Sequence, residues 1–441
     1  MRDSTRNAAW VERSLRAVWH PCTQMKLHEQ FPLVPIARGE GVWLYDFEGN
    51  RYFDTISSWW INLFGHANPR INAAVKDQLD RLEHVMLSGF THEPVVELSE
   101  QLGALTGNRL GHCFYASDGA AAIEIALKMS FHYWRESGRT AKTKFVSLSN
   151  SYHGETLGAL SVGDVALFKD TYAPLLRQCL TVPNPDARNA GPGESASAYA
   201  LRCAQALDAV LGKHHQEIAA LILEPLIQCA GGMAMYDPVY LREARRLCER
   251  YEVHLIADEI AVGFGRTGTF FACEQASVWP DFLCLSKGLT GGYLPLSVVL
   301  TTEQVYQAFY LDEFARGFLH SHSYTGNALA CRAALATLDI FREDNVIESN
   351  LAKGALIDRA FADVARHPLA KHWRRRGMVW AFDVDTNDPN FARKFAARAC
   401  QEELLLRPLG NTVYFMPPYI TNESEIEWLG KSTLSLLEDL P

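Results

Sequence analysis

Two short apolar runs constrain this chain more than any other feature of it. One is Val253-His254-Leu255-Ile256-Ala257-Asp258-Glu259-Ile260 and the other is Phe282-Leu283-Cys284-Leu285-Ser286-Lys287-Gly288. Near-continuous apolar runs of this length are the pattern of parallel strands buried on both faces. Such strands need helices on each side, which commits the chain to an open α/β sheet. In that architecture ligands bind in the crevice outside the carboxyl ends of the strands. Each run delivers a charge there, Asp258 from the first and Lys287 from the second. A carboxylate set against a pyridine nitrogen, with a lysine in reach of an aldehyde, is the arrangement that pyridoxal phosphate requires.

The rest of the chain reads as a large α/β body with a smaller α+β companion. Its 441 residues are too many for one small core. Strands are expected at 113–116, 144–148, 219–223 and 296–301, alternating with helices at 94–106, from 119 onward, at 197–212 and at 238–251. The N-terminal part is β-rich, with strands at 34–36, 41–46 and 51–54 and a hairpin turn at Glu48-Gly49-Asn50. After Asn327 helices dominate, at 327–342, 346–366, 390–403 and 424–438, with strands at 378–384, 404–407 and 412–416. The expected division is a large domain at 66–335 and a small domain assembled from 1–65 and 336–441.

Charge and cysteine usage exclude several classes. A net charge of −9, with no run of like charges, argues against a nucleic-acid or anionic-membrane surface. The ten cysteines form no Cys-x-x-Cys pair and several lie within apolar runs, which predicts free thiols and no metal site. No signal-peptide pattern and no membrane-spanning apolar run is present, so a cytoplasmic protein is expected.

Further chemistry clusters at the ends of the expected strands. Ser117-Asp118-Gly119-Ala120 stands between a strand and a strongly helical stretch, a geometry that aims backbone N–H groups at an anion such as phosphate. Tyr152-His153-Gly154-Glu155 follows the strand at 144–148, and Glu224-Pro225 closes the strand at 219–223. Trp59 and Trp60 read most simply as packing residues.

The segments Ala257-Asp258-Glu259-Ile260, Gly263-Phe264-Gly265-Arg266-Thr267-Gly268 and Leu285-Ser286-Lys287-Gly288-Leu289-Thr290-Gly291-Gly292 resemble the signature of class III aminotransferases, which are pyridoxal-phosphate enzymes of fold type I. The likeness continues through Ser117–Ala120, Tyr152–Gly154, Glu224-Pro225 and Gly326-Asn327. Within the class, four stretches resemble the adenosylmethionine–8-amino-7-oxononanoate aminotransferases of biotin biosynthesis: Trp19-His20-Pro21-Cys22-Thr23-Gln24-Met25, Ser57-Ser58-Trp59-Trp60, Arg407-Pro408-Leu409-Gly410 and Tyr414-Phe415-Met416-Pro417-Pro418-Tyr419. The alternative is another class III ω-aminotransferase with a different amine donor or keto acceptor.

The resemblance implies a set of roles. Lys287 bonds to the cofactor's aldehyde and moves the substrate proton, Asp258 pairs with the pyridine nitrogen, and Tyr152 stacks on the ring. Gly119 and Ala120 give N–H groups to the phosphate, and Glu224 and Arg266 stand near the cofactor. Ser321, His322 and Ser323 belong to a loop that a neighbouring subunit brings to the phosphate, which implies a homodimer with shared sites. Cys22, Trp59, Tyr152, Ser321 and Arg407 line the substrate site beside Lys287, with Arg407 taking the oxononanoate carboxylate. The implied substrates are S-adenosylmethionine and 8-amino-7-oxononanoate. This chain departs from the family pattern at Cys22 (often Tyr), Ala120 (Ser), Glu155 (Asp) and Ser321-His322-Ser323 (Gly-Pro-Thr).

Overall fold

Burial divides the strands into central and edge positions. Every residue of Ile218–Leu223, His254–Asp258, Phe282–Leu285 and Ser297–Thr301 is buried, whereas Leu180–Val182, Lys144–Leu148 and His112–Ala116 are partly open. In the computed structural model, which describes residues 5–440, these seven strands form one sheet. The charged start, Met1–Ser4, lies outside the described residues. Across the sheet the order is His112–Ala116, Ser297–Thr301, Phe282–Leu285, His254–Asp258, Ile218–Leu223, Lys144–Leu148 and Leu180–Val182. All neighbours run parallel except Ser297–Thr301, which is antiparallel to both of its partners. The fold is thus a mostly parallel α/β sheet, and its four central strands carry the apolar runs.

Helix Gly119–Glu136 covers one face of this sheet. Its small and branched residues Ala122, Ile123, Ala126 and Met129 pack with Ile222, Ile256, Phe282 and Val299 in one core. Each fully buried Ile or Phe there contributes about 1.5–3 kcal/mol. Asp118 caps the helix by accepting the Ala121 amide at 3.0 Å.

Two compact units emerge, residues 70–351 and residues 1–69 with 352–441. The second unit holds two sheets. One has the order Ile36–Glu40, Trp43–Asp46, Arg51–Asp54 and Leu404–Leu405, the last pair parallel, so that distant stretches of chain leave the same sheet edge. The other is Ala370–Arg376, Val379–Val384 and Thr412–Phe415.

Differences from the sequence-based expectations have local causes. Ala370–Arg376 is a strand although it reads Ala-Lys-His-Trp-Arg-Arg-Arg, because an edge strand can carry charge on its open side. The helix expected at 346–366 breaks at Phe361 into Val346–Ala360 and Ala362–Arg366. Among the described residues, no helix is long and apolar enough to cross a membrane.

Candidate active site

Three adjacent strands deliver Glu224, Asp258 and Lys287 to one edge. In register, Leu223 pairs with Ala257, Ala257 with Leu283, and Asp258 with Cys284. Glu224 and Asp258 therefore leave the sheet at nearly the same level, and Lys287 follows three residues past Cys284. The strand ends at Leu285, and Lys287 itself is half-buried with φ +45°. A left-handed non-glycine residue costs on the order of 1–3 kcal/mol and persists only where its surroundings over-determine it. Here buried Ser286 donates to the Leu296 carbonyl at 2.8 Å, and the Leu289 amide donates to the Ser286 carbonyl at 3.0 Å. Burial lowers the Lys287 pKa, while the charges of Asp258, Cys229 and Glu224 oppose that shift. An amine held in that balance is suited to attack a carbonyl and to carry protons.

Asp258 is gripped from two sides. Its Oδ2 lies 2.7 Å from His153 Nδ1, and its Oδ1 accepts the Ile260 amide at 3.1 Å. The His153 side chain is fully buried, and its Nε2 has no hydrogen-bond partner. An orphaned ring nitrogen in a dry site is costly unless something else occupies the site. Glu224 accepts the amides of Tyr152 at 2.9 Å and Cys229 at 3.0 Å. Despite those two donors, burial and then the charge of Asp258 push its carboxyl up to about 8.

That shift has a testable sign. A carboxyl whose folded pKa lies above its unfolded value binds more protons when folded, so its stabilisation is complete below the unfolded value and fades as pH rises through the folded one. Burial likewise pushes Glu259 up to about 7, in the same sense. The melting temperature of the cofactor-free protein should therefore be eroded by these groups between about pH 5 and about pH 8. Glu224→Gln should flatten that slope in a calorimetric pH series. An unaltered slope would count against a protonated Glu224.

The start of helix Gly119–Glu136 sits against this edge. A Cβ added to Gly119 would lie 3.0 Å from Ile260 Cγ2, and one added to Gly154 would lie 2.6 Å from Ala120 Cβ. Gly154 has φ +118°, so the Tyr152-His153-Gly154 loop approaches the helix start only because that position is glycine. The Tyr152 phenol donates to Glu155 Oε1 at 3.1 Å, and its ring meets Phe168 edge-on at 5.5 Å. On the other side of the helix, Lys128 Nζ lies 2.8 Å from His320 Nδ1, and His320 Nε2 lies 3.1 Å from His322 Nε2. Exposed Ser323 is tethered through its carbonyl to His84 Nε2 at 2.8 Å, whereas Ser321 is simply exposed.

Cys22, Trp59 and Arg407 belong to the unit formed by 1–69 and 352–441. Arg407 and Trp59 follow the two parallel neighbours Leu404–Leu405 and Arg51–Asp54, and the Arg407 guanidinium lies over the Trp59 ring at 4.2 Å. Trp59 is 43% exposed, while Trp60 is buried with its indole N–H on Tyr414 Oη at 3.1 Å. Cys22 is exposed and lies outside that pairing. Ser57, Ser58, Trp59 and Trp60 all have positive φ, at +51°, +46°, +75° and +74°. Such a left-handed turn costs roughly 1–2 kcal/mol per residue. The Asp54 carboxylate, fully buried, accepts the Ser58 amide and the Ser58 hydroxyl, each at 2.7 Å, and lies 2.9 Å from His66 Nε2. Hydrogen bonds to a charged group contribute about 1.5–3 kcal/mol each, enough to offset the strain.

Sequence reasoning assigned no role to His153, Asp54 or His66. The signal for the first was its place between Tyr152 and Gly154 after a buried strand. For Asp54 it was an acid directly after an aromatic strand residue.

Comparison with known proteins places this geometry in context. The family model for aminotransferase class-III matches residues 24–435. A Helicobacter pylori protein named adenosylmethionine-8-amino-7-oxononanoate aminotransferase is 49% identical over 434 residues, 97% of each chain. The crystal structure of the Methanocaldococcus jannaschii protein of the same name superposes with a TM-score of 0.92 at 35% identity, covering 98% of this chain and 99% of that one. An omega transaminase from Pseudomonas jessenii, solved in complex with PMP, also gives 0.92 at 28% identity, covering 97% of each chain.

Proposed function

This chain belongs to the class III aminotransferases, and from that premise we propose that it transfers the amino group of S-adenosyl-L-methionine to 8-amino-7-oxononanoate, forming 7,8-diaminononanoate in biotin biosynthesis. The observation that carries the reading is the shared sheet edge of Glu224, Asp258 and Lys287, backed by His153. These residues fit pyridoxal 5'-phosphate. A buried carboxylate steered by a histidine suits a protonated ring nitrogen, a half-buried lysine suits the aldehyde, and a helix start suits the phosphate. When bound, the cofactor supplies the carbonyl that takes up the amino group and the ring that accepts electrons as the substrate proton leaves.

The chain's own residues do the rest. Lys287 Nζ, poised by burial against Asp258, Cys229 and Glu224, takes the proton from the donor carbon and returns it to the acceptor. Asp258 keeps its charge directed because His153 and the Ile260 amide each hold one oxygen. Tyr152 covers the ring face, its phenol turned by Glu155. Gly119, Ala120, His322 and Ser323 bind the phosphate, with Ser321 and Cys22 near the substrate.

Arg407 takes the acceptor's carboxylate as a charge-assisted pair, with its guanidinium plane kept flat by Trp59. Losing one such bond is worth about 1.5–3 kcal/mol, or roughly 10- to 100-fold. Arg407→Ala should therefore raise the acceptor KM by that factor and leave the donor KM within about twofold. Equal weakening of both substrates would contradict the carboxylate role.

The enzyme works as a cytoplasmic homodimer that engages neither membrane nor nucleic acid. Support for the dimer comes from the exposed apolar side chains Tyr310, Phe314, Leu319 and Tyr324 beside the Ser321–Ser323 loop. A two-donor assay tests the reading as a whole: adenosylmethionine should discharge its amino group to oxononanoate. Turnover only with a simple ω-amine, and never with oxononanoate, would favour another class III activity.

A further inference from the structure

The residues that hold the Trp59 turn are not the residues that face substrate. Asp54 ends the strand Arg51–Asp54 and is wholly buried, yet three polar groups converge on its carboxylate: the amide and hydroxyl of Ser58 and Nε2 of His66. His66 is itself fixed. Its backbone exchanges hydrogen bonds with Gly41 at 3.1 and 2.7 Å, and its Nδ1 lies 3.2 Å from the Asn62 side-chain amide. Its ring root packs so close to Gly39 that a Cβ there would lie 2.7 Å from His66 Cβ. Ser57 adds a second tie, donating to the Met416 carbonyl at 2.7 Å. Four successive left-handed residues without a glycine have no preference of their own for this shape. The shape is imposed, and what it presents is Trp59, open on one side and topped by Arg407.

We propose that Asp54, held by His66, is a positioning residue for acceptor recognition: it closes the left-handed turn Ser57–Trp60 and so sets the Trp59 ring under the guanidinium of Arg407. The inference rests on the reading of Arg407 as the acceptor's carboxylate partner. Asp54 touches no substrate. Its effect passes through the placement of one aromatic plane, and a displacement of about 1 Å in such a contact can cost about 100-fold.

The test uses the holoenzyme and compares half-reactions. Asp54→Asn swaps one acceptor oxygen for a donor and loosens the grip on Ser58. The acceptor KM should rise at least about tenfold while the donor half-reaction, followed by the cofactor's visible absorbance, stays within about twofold. Adding Ser58→Gly to that variant removes the left-handed penalty at position 58 and should restore most of the acceptor KM. If Asp54→Asn fails to fold, Ser58→Ala keeps the amide bond and should give a smaller effect confined to the acceptor, about threefold. An unchanged acceptor KM, equal losses for donor and acceptor, or no recovery in the double variant would each overturn the proposal. A wild-type enzyme that never consumes oxononanoate would instead remove the parent reading, and this inference with it.

Discussion

Lys287→Ala should abolish both the visible absorbance of the bound cofactor and turnover, by at least about 10⁴-fold, while phosphate-anchored cofactor remains bound. The reasoning starts from position. Lys287 follows a fully buried strand, adopts φ +45°, and is held there by the Ser286 hydroxyl and the turn that follows. That strain would serve nothing in a surface lysine. Burial lowers its pKa while Asp258, Cys229 and Glu224 pull the other way, so the amine can be both a nucleophile and a proton carrier. Alanine removes both roles at once. Added methylamine should recover part of the proton-transfer rate by standing in for the lost base. Retention of the absorbance band, or activity within tenfold of wild type, would place the bonding amine elsewhere.

Asp258→Asn carries the second largest expected effect. Asp258 is one of two acids at adjacent strand ends, and burial with mutual repulsion has pushed the other, Glu224, up to about 8. The pair therefore divides its labour: Glu224 tends to keep its proton, and Asp258 presents charge, oriented by His153 at 2.7 Å and the Ile260 amide at 3.1 Å. An asparagine cannot accept from both sides, and it cannot favour a protonated ring nitrogen. Removing one preorganised electrostatic partner of this kind costs about 10²–10³ in kcat. The loss should fall on both half-reactions, with the acceptor KM unchanged, because Asp258 acts on the cofactor and not on either substrate. A loss confined to one half-reaction would contradict that role. Rapid-mixing absorbance with each substrate alone separates the two outcomes.

What was legible in the sequence follows from burial. The four central strands must be apolar throughout, so a charge at the end of one stands out; Glu224, Asp258 and Lys287 could be picked as a set before any coordinates. Helix ends were legible for a similar reason, since Asp118 followed by Gly119 and Ala120 has capping chemistry at a strand–helix turn. Edge structure was less visible. The basic strand Ala370–Arg376 carries no apolar alternation, because one side needs none.

The turn at Ser57–Trp60 was the least legible feature. Nothing in Ser-Ser-Trp-Trp favours positive φ, and the conformation comes from tertiary bonds supplied by Asp54, Met416 and His66. His153 was hidden differently. Its type and position were plain, but that its ring reaches Asp258, over a hundred residues along the chain, depends on the sheet order. In both cases a long-range partner, not a local propensity, decides the side chain's role.

The most direct test of the proposed activity is a single turnover of the purified holoenzyme, first with S-adenosyl-L-methionine and then with 8-amino-7-oxononanoate, with the product identified by mass. The expected result is loss of the cofactor's visible band on adding the donor, its return on adding the acceptor, and one equivalent of 7,8-diaminononanoate per site. A band that bleaches with a simple ω-amine but never returns with oxononanoate, with no diamine formed, would contradict it.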